Sequence, residues 1–193
     1  MVTEVNKNHA FLNSFINISE DTFNKLQKIS TFKEIEAHIA ITKAGEIPSK
    51  VYMLTSGIMR VYLSSESGKE HNKNIFSPYS FVGALTALIK NKPSELTYET
   101  LTNCKGYEID FVALRKLCKN NLSISNMYNK ILEYIFISYE KRHLELISLN
   151  ATQRYLKLKK QIPDIDHLIP QFQIASYLSI TPVQLSRIRK KLN

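Results

Sequence analysis

The sequence predicts an α+β protein: an N-terminal double-stranded β-helix (a jelly-roll-like β-roll), one long helix and a C-terminal winged-helix-like helix-turn-helix unit. All five glycines lie within residues 45–106, among short runs of alternating hydrophobicity. Residues 107–162 contain neither glycine nor proline, which favours long helices. Residues 171–191 then form two short amphipathic segments around a turn. We therefore expect a sensor-type roll over 1–120, a dimerisation helix over 121–149 and a helix-turn-helix unit over 150–193.

Composition sets limits on the class of protein. Of the 193 residues, 44% are hydrophobic and 22% are charged, as in ordinary globular proteins. No apolar run approaches the length of a membrane span, and the N-terminal segment does not resemble a secretion signal. We therefore expect a cytoplasmic protein without a membrane partner. Cys104 and Cys118 lack any metal-binding spacing, so no metal or other cofactor is expected.

The elements of the roll follow from short alternating runs separated by turn residues. Ser19 is expected to cap a helix that ends near Ile29. Thr31–Ile41 alternates in the manner of one half-buried strand. Val51–Leu63 contains two β-rich runs around Ser56-Gly57, which predicts a hairpin. A second turn is expected at 64–69, and further strands at 73–77, 96–103 and 105–109.

The longest uninterrupted segment, Leu122–Leu149, predicts a helix about 40 Å long. A shorter helix, Phe111–Cys118, is expected just before it, with Asp110 as its N-cap. Apolar positions at 4-3-4-3 spacing indicate a dimer seam on the long helix, and the alternative is a single core helix in a monomer. The seam positions are Ile124, Tyr128, Ile131, Ile135 and Ser138, whereas Leu132, Phe136, Tyr139 and Leu146 are expected to cover the roll.

Residues 171–191 fit the physical requirements of a helix-turn-helix. Pro170 can start the first helix, where its missing N–H is not needed. Ala175 is small where two helices must approach closely, and Ile180 is the buried residue of the turn. Thr181 is expected to cap the second helix, with Pro182 at its first position. The inward-facing positions are Ile174, Leu178, Leu185 and Ile188.

The outward face of the second predicted helix carries side chains suited to DNA. Arginine and glutamine match guanine and adenine edges, and cations at the far end suit phosphates. Residues 150–193 hold eight Lys or Arg against two Asp, a net charge of +6 within a chain total of +9. This charge favours a polyanionic partner. The expected DNA contacts are Thr181, Pro182, Val183, Gln184, Ser186, Arg187, Arg189, Lys190 and Lys191.

The chain resembles the Crp/Fnr superfamily of transcription regulators. Lys43–Glu46 and Val51–Tyr62 resemble the early roll strands of that family, and Phe81–Leu85 resembles its phosphate-binding cassette. Asn150–Tyr155 resembles the start of its DNA-binding domain, and Ile174–Lys191 resembles its helix-turn-helix. The resemblance implies a homodimer that places two recognition helices in successive major grooves of double-stranded DNA. It implies that Arg187 contacts a base pair and phosphate. Val183 stands where many members have a glutamate that reads cytosine. The candidate ligand pocket implied by the cassette consists of Phe81, Gly83, Ala84 and Leu85.

The same resemblance shows a departure at the ligand site. A cyclic nucleotide needs a carboxylate for the ribose hydroxyl and a cation for the phosphate. The glutamate that follows the cassette glycine in cyclic AMP binders is replaced by Ala84. Their Arg-Ser pair is replaced by Pro93–Leu96, in which Glu95 would repel a phosphate. Regulation by a cyclic nucleotide is therefore not expected, and the effector stays open. The two cysteines also fall short of an iron–sulfur ligand set.

Three functions remain in competition. The first is a homodimeric DNA-binding transcription regulator, with RNA polymerase as a further candidate partner. The second is a ligand-binding or protein-docking module with a degenerate helical tail. It is favoured by Ser179, because this turn usually has glycine and a left-handed serine costs about 1 kcal/mol. The third is an enzyme on a cupin-like roll, but such enzymes need clustered His and Glu ligands, and no His-x-His pair is present.

Overall fold

The computed structural model describes residues 4–192, with the side chains of residues 7–192. The strands are β1 (Ser30–Ile35), β2 (Ala40–Thr42), β3 (Lys50–Ser56), β4 (Met59–Ser64), β5 (Glu70–Phe76), β6 (Ser80–Val82), β7 (Thr97–Thr100) and β8 (Cys104–Asp110). The helices are α1 (Glu4–Asn13), α2 (Glu20–Gln27), α3 (Leu85–Lys90), α4 (Phe111–Asn120), α5 (Leu122–Ser148), α6 (Ala151–Gln161), α7 (Ile165–Leu168), α8 (Gln171–Tyr177) and α9 (Pro182–Leu192).

The strands form two antiparallel four-stranded sheets, ordered β1-β8-β3-β6 and β2-β7-β4-β5. This arrangement confirms the predicted β-roll. Its interior is apolar and tightly closed, because Leu54 and Val61 are each 0% exposed. Helices α1, α2, α4 and α5 cover the outer face of the first sheet through a second apolar layer.

The predicted hairpin over Val51–Leu63 is wrong in its pairing. The turn at Gly57 exists, but β3 and β4 belong to different sheets, and the chain crosses between them there. Gly57 has a φ of 90°, and a Cβ at this position would lie 2.5 Å from the carbonyl oxygen of Asn103. The true hairpin joins β4 to β5 through the predicted second turn, where the Ser65 N–H bonds the Lys69 carbonyl.

The predicted strand over Thr31–Ile41 is likewise two strands, β1 and β2, one in each sheet. Between them His38 adopts a φ of 64°, which breaks the extended run. The predicted helix caps are confirmed. The Ser19 hydroxyl accepts from the Thr22 N–H at 3.2 Å, and the Asp110 carboxylate accepts from the Ala113 N–H at 2.8 Å.

Helix α5 confirms the predicted long helix, but most of the predicted seam faces the chain's own core. Three of the five predicted seam positions, Ile124, Tyr128 and Ile131, are at most 8% exposed and pack within the chain's own core. Ile135 is half-buried there, and Ser138 is exposed. Of the residues predicted to cover the roll, Leu132 packs against it as predicted, whereas Phe136 and Leu146 are exposed. The predicted seam is therefore the face that covers the roll.

Helices α6–α9 share one apolar cluster that extends onto the second sheet. Ile165, Ile174 and Leu185 are fully buried in it, and Ile58 and Ile75 of the roll join it. No strand follows β8 within residues 4–192, so the winged part of the prediction has no strands in the described chain.

Candidate nucleic-acid interface

Helices α8 and α9 pack as the sequence predicts for a helix-turn-helix. Ala175 and Leu185 are both 0% exposed, so the two helices meet through a small residue and a leucine. Ile174 and Leu178 face inward and are also fully buried. Ile188 and Ile180 pack partly buried against the same cluster.

The turn between these helices is closed by backbone and side-chain hydrogen bonds. Ser179 takes the left-handed conformation with a φ of 55°, and the Ile180 N–H donates to the Ala175 carbonyl at 3.0 Å. The Thr181 hydroxyl accepts from the Gln184 N–H at 3.1 Å, while Gln184 Oε1 accepts from the Thr181 N–H at 2.9 Å. This reciprocal capping box fixes the start of α9.

The C-terminal end of α8 is held by two arginines from other helices. Arg142 of α5 donates to the Tyr177 carbonyl, and its guanidinium lies 3.9 Å from the centre of the Tyr177 ring. Arg154 of α6 donates to the Leu178 carbonyl at 3.1 and 3.2 Å. Cations at a helix C-terminus satisfy carbonyls that lack helical partners. Burial lowers the pKa of Arg142, and the carboxylate of Glu145 opposes this effect.

The outward surface of α9 is open. Val183 is 60% exposed, and most of the predicted DNA contacts share its side of the helix. Arg187, Lys190 and Lys191 are exposed and make no ion pair within residues 4–192. The exposed positions are Thr181, Pro182, Val183, Gln184, Ser186, Arg187, Lys190 and Lys191, which we call the α9 face.

Arg189 departs from the prediction. Its guanidinium is paired with Asp166 of α7, and the arginine side chain is only 25% exposed. The same carboxylate accepts from the Tyr155 hydroxyl at 2.5 Å. Burial and this hydrogen bond raise the pKa of Tyr155. Arg189 therefore stabilises the helical unit from inside and does not lie on the α9 face.

The start of α6 adjoins the α9 face, a contact that the sequence pattern did not indicate. Ala151 and Thr152 line a shallow groove with Arg187. Asn150 caps α6 through a reciprocal bond pair with Gln153, at 3.0 and 2.9 Å. An Asn followed by Gln three residues later is a capping-box pattern, so this helix start was readable from the sequence.

A polar cluster joins α8 to the roll. The Arg60 side chain is 6% exposed and pairs with Glu99 at 2.6 Å and with Glu70 at 2.5 Å. The same guanidinium donates to Gln173 Oε1 at 3.0 Å, and Asn72 donates to that oxygen at 2.7 Å. The roll does not bury the α9 face, although Thr181, Pro182 and Gln184 line a cleft whose other wall includes residues 69–72 of the roll.

The cassette-like segment lines a cavity of about 290 Å³ between the roll and α5. Phe81, Gly83 and Leu85 contribute to its wall, whereas Ala84 is 4% exposed and packs in the roll core. Lys73 is the single cation in the lining, with its Nζ 4.8 Å from the centre of the Tyr139 ring, and no carboxylate lines the cavity within the described chain.

The residues that the structure describes contain neither a metal site nor a membrane span. No group of three or more His, Cys, Asp or Glu side chains is placed to hold a metal ion among the described residues. No helix in the described part of the chain has both the length and the apolar character needed to cross a bilayer.

Comparison with known proteins finds a matching domain family and relatives of low sequence identity. Residues 32–121 match the family model of the cyclic nucleotide-binding domain. The anaerobic regulatory protein of Bacillus subtilis is 24% identical over 143 residues, which is 74% of this chain. That alignment covers 57% of the relative, so the match spans less than two thirds of its length.

Solved structures extend the likeness to most of the chain. FixK2 from Bradyrhizobium japonicum superposes with a TM-score of 0.71 at 16% identity, over 85% of this chain and 84% of its own. A regulator of the Crp/Fnr family from Eubacterium rectale gives a TM-score of 0.71 at 13% identity, over 94% and 87% of the two chains. At such identities the likeness concerns the fold.

Proposed function

We propose that the protein is a homodimeric DNA-binding transcription regulator, because residues 32–121 match the model of the cyclic nucleotide-binding domain and the chain has the fold of the solved regulators. The observation that carries the proposal is the α9 face. It is a solvent-open helix surface with Arg187, Lys190 and Lys191 free of internal ion pairs within the described residues.

The α9 face divides into base-reading and phosphate-binding parts. Arg187 lies mid-helix, where a guanidinium can donate two hydrogen bonds to guanine O6 and N7. Lys190 and Lys191 lie one turn further on and suit phosphates, as do the first N–H groups of α6 beside Arg187. Gln184 Oε1 is occupied by its capping box, so this side chain would act through its amide N–H groups only.

Dimerisation is proposed through the solvent side of α5, in place of the predicted seam. Four large apolar side chains of this helix are 57–71% exposed, namely Phe136, Ile137, Leu144 and Ile147. Ile137 and Leu144 are seven residues apart, the spacing of one heptad. An apolar stripe of this kind on a soluble protein marks an interaction surface. We call these four residues the α5 stripe.

A cyclic nucleotide is not proposed as the effector. The cassette cavity offers Lys73 as its lone cation and no carboxylate for a ribose hydroxyl. Buried phosphate oxygens without a close, fixed cation would lose their hydration and gain too little in return. The cavity therefore fits a less polar molecule better than a nucleotide.

Selection of bound sequences from random duplex DNA tests the proposal. The expected product is a pseudo-palindrome with half-sites about 10–10.5 base pairs apart, centre to centre. The matched control is Arg187→Ala, taken through the same selection. Absence of enrichment by the folded wild-type dimer would instead favour the docking module. A single, asymmetric half-site would contradict the homodimeric mode.

A further inference from the structure

A second cavity lies outside the roll, between the outer face of the first sheet and helices α1, α2, α4 and α5. Its volume is about 110 Å³, and its wall is almost wholly apolar. Leu12, Phe23, Met53 and Met127 line it and are 3–8% exposed. It shares wall residues such as Phe81 with the cassette cavity, but Ala84, Gly83 and Lys73 do not line it.

One polar group in this wall lacks a partner among the residues that the structure describes. Asn8 of α1 is 2% exposed and donates through Nδ2 to the Tyr107 hydroxyl oxygen at 3.1 Å. The other atom of that amide, Oδ1, is buried and makes no hydrogen bond with any side chain of residues 7–192 or backbone group of residues 4–192. A buried unsatisfied acceptor costs about 1–3 kcal/mol, so an asparagine at this position is costly unless something binds it.

The chemistry of the wall defines what it accepts. No charged side chain lines the cavity within residues 7–192, so an ionised ligand would be buried without a counter-ion. Asn8 Oδ1 accepts a hydrogen bond, and the Tyr107 hydroxyl keeps a proton to donate because its oxygen already accepts from Asn8. A ligand hydroxyl can satisfy both groups, since it both donates and accepts.

The size and access of the cavity narrow the class further. An apolar cavity of about 150 Å³ in another protein stays dry and binds benzene. The volume of the present cavity is of the same order. Its wall includes the exposed residue Gln27 and the half-buried residue Ser30, so it lies close to the protein surface on that side. We propose that the cavity between α1, α2, α5 and the outer sheet face binds a neutral, benzene-sized molecule that carries one hydroxyl group.

Phenol and toluene are the probes, because they are similar in size and differ in the hydroxyl. Isothermal titration of the full-length chain should show saturable binding of phenol, with toluene about tenfold weaker because it leaves Asn8 Oδ1 unpaired. In Asn8→Leu the preference for phenol should shrink, because only the Tyr107 hydroxyl remains to bond the ligand hydroxyl, while the far-UV circular dichroism spectrum stays unchanged. In Met127→Trp, which fills the cavity, both probes should lose binding, whereas Met127→Leu should retain it.

Two results would overturn the inference. The first is the absence of saturable phenol binding by folded wild-type protein, which would mean that the cavity holds at most water. The second is an undiminished preference for phenol in folded Asn8→Leu. Both measurements are made without DNA, so their outcome is independent of the proposed regulator function. If Met127→Trp does not fold, the phenol preference of folded Asn8→Leu still tests the inference.

Discussion

At the scale of single residues, the turn before α9 depends on a strained serine. Ser179 is exposed and holds a φ of 55°, a conformation that costs a residue with a Cβ about 1–2 kcal/mol. The strain is offset by the bonds of Ile180 and Thr181 on either side. A serine at this position is therefore compatible with a formed helix-turn-helix.

Ser179→Gly should stabilise the protein by about 0.5–1 kcal/mol, since glycine removes the Cβ clash but loses more backbone entropy on folding. Urea unfolding followed by circular dichroism measures the change. Ser179→Ala is the control and should give no gain. Equal stability of the glycine and alanine variants would contradict the left-handed turn.

Asp110 makes a pH-dependent contribution at the start of α4. Its pKa is lowered by the N–H of Ala113, by Lys50 and by the N–H of Val112. A lowered folded-state pKa means that the contribution is complete above the unfolded pKa and is lost as the pH falls through the folded value. Asp110→Ala should therefore cost about 1 kcal/mol at pH 7. Urea unfolding between pH 7 and about 3 should show this difference shrinking, and a constant difference would contradict the carboxylate cap.

Residue-level prediction from the sequence succeeded where the determinants are local. The caps at Ser19, Asp110 and Thr181 each use a backbone N–H three residues along, so a short pattern reveals them. The sequence could not indicate the partner of Gln173, because Arg60 lies 113 residues away. It misplaced Arg189 for a related reason, since Asp166 lies on a different helix.

At the scale of elements, the positions of strands and helices were predictable but their neighbours were not. Gly57 marked a turn correctly, yet a turn residue does not specify whether the flanking strands pair or cross to another sheet. Helix α5 is apolar on several sides, with Ile124 and Ile131 buried and Phe136 and Ile147 exposed. Heptad spacing alone therefore could not tell the covered face from the free one.

Charging the α5 stripe should separate the proposed dimer. Ile137→Glu combined with Ile147→Glu places two carboxylates in each copy of an apolar interface and should weaken association roughly 100-fold. Sedimentation velocity measures the dimer fraction, and circular dichroism checks the fold. Val112→Glu is the matched control, because Val112 lies on α4, outside the α5 stripe, and is as exposed as Ile147, at 72% and 71% respectively. An unchanged dimer in the double variant would rule out the α5 stripe as the interface.

At the scale of the whole molecule, the roll and the helical unit are joined by apolar and charged contacts. Ile58 and Ile75 extend the helical core onto the second sheet, and Lys157 of α6 pairs with Glu145 of α5 at 2.7 Å. Four of the eight basic side chains in residues 150–193 bind groups on other helices of the chain, namely Arg154, Lys157, Lys159 and Arg189. The net charge correctly indicated a basic unit, but only the structure separates internal cations from those on the α9 face.

The most direct test of the account is the affinity of wild-type protein and Arg187→Ala for the selected duplex, measured by fluorescence anisotropy over a range of salt. Wild-type affinity should fall steeply with salt. Arg187→Ala should lose about 1–3 kcal/mol of binding free energy and its discrimination at one base pair in each half-site. Lys116→Ala, an exposed cation on α4, is the control and should bind as wild type. Sequence-specific binding that persists undiminished in Arg187→Ala would contradict the account.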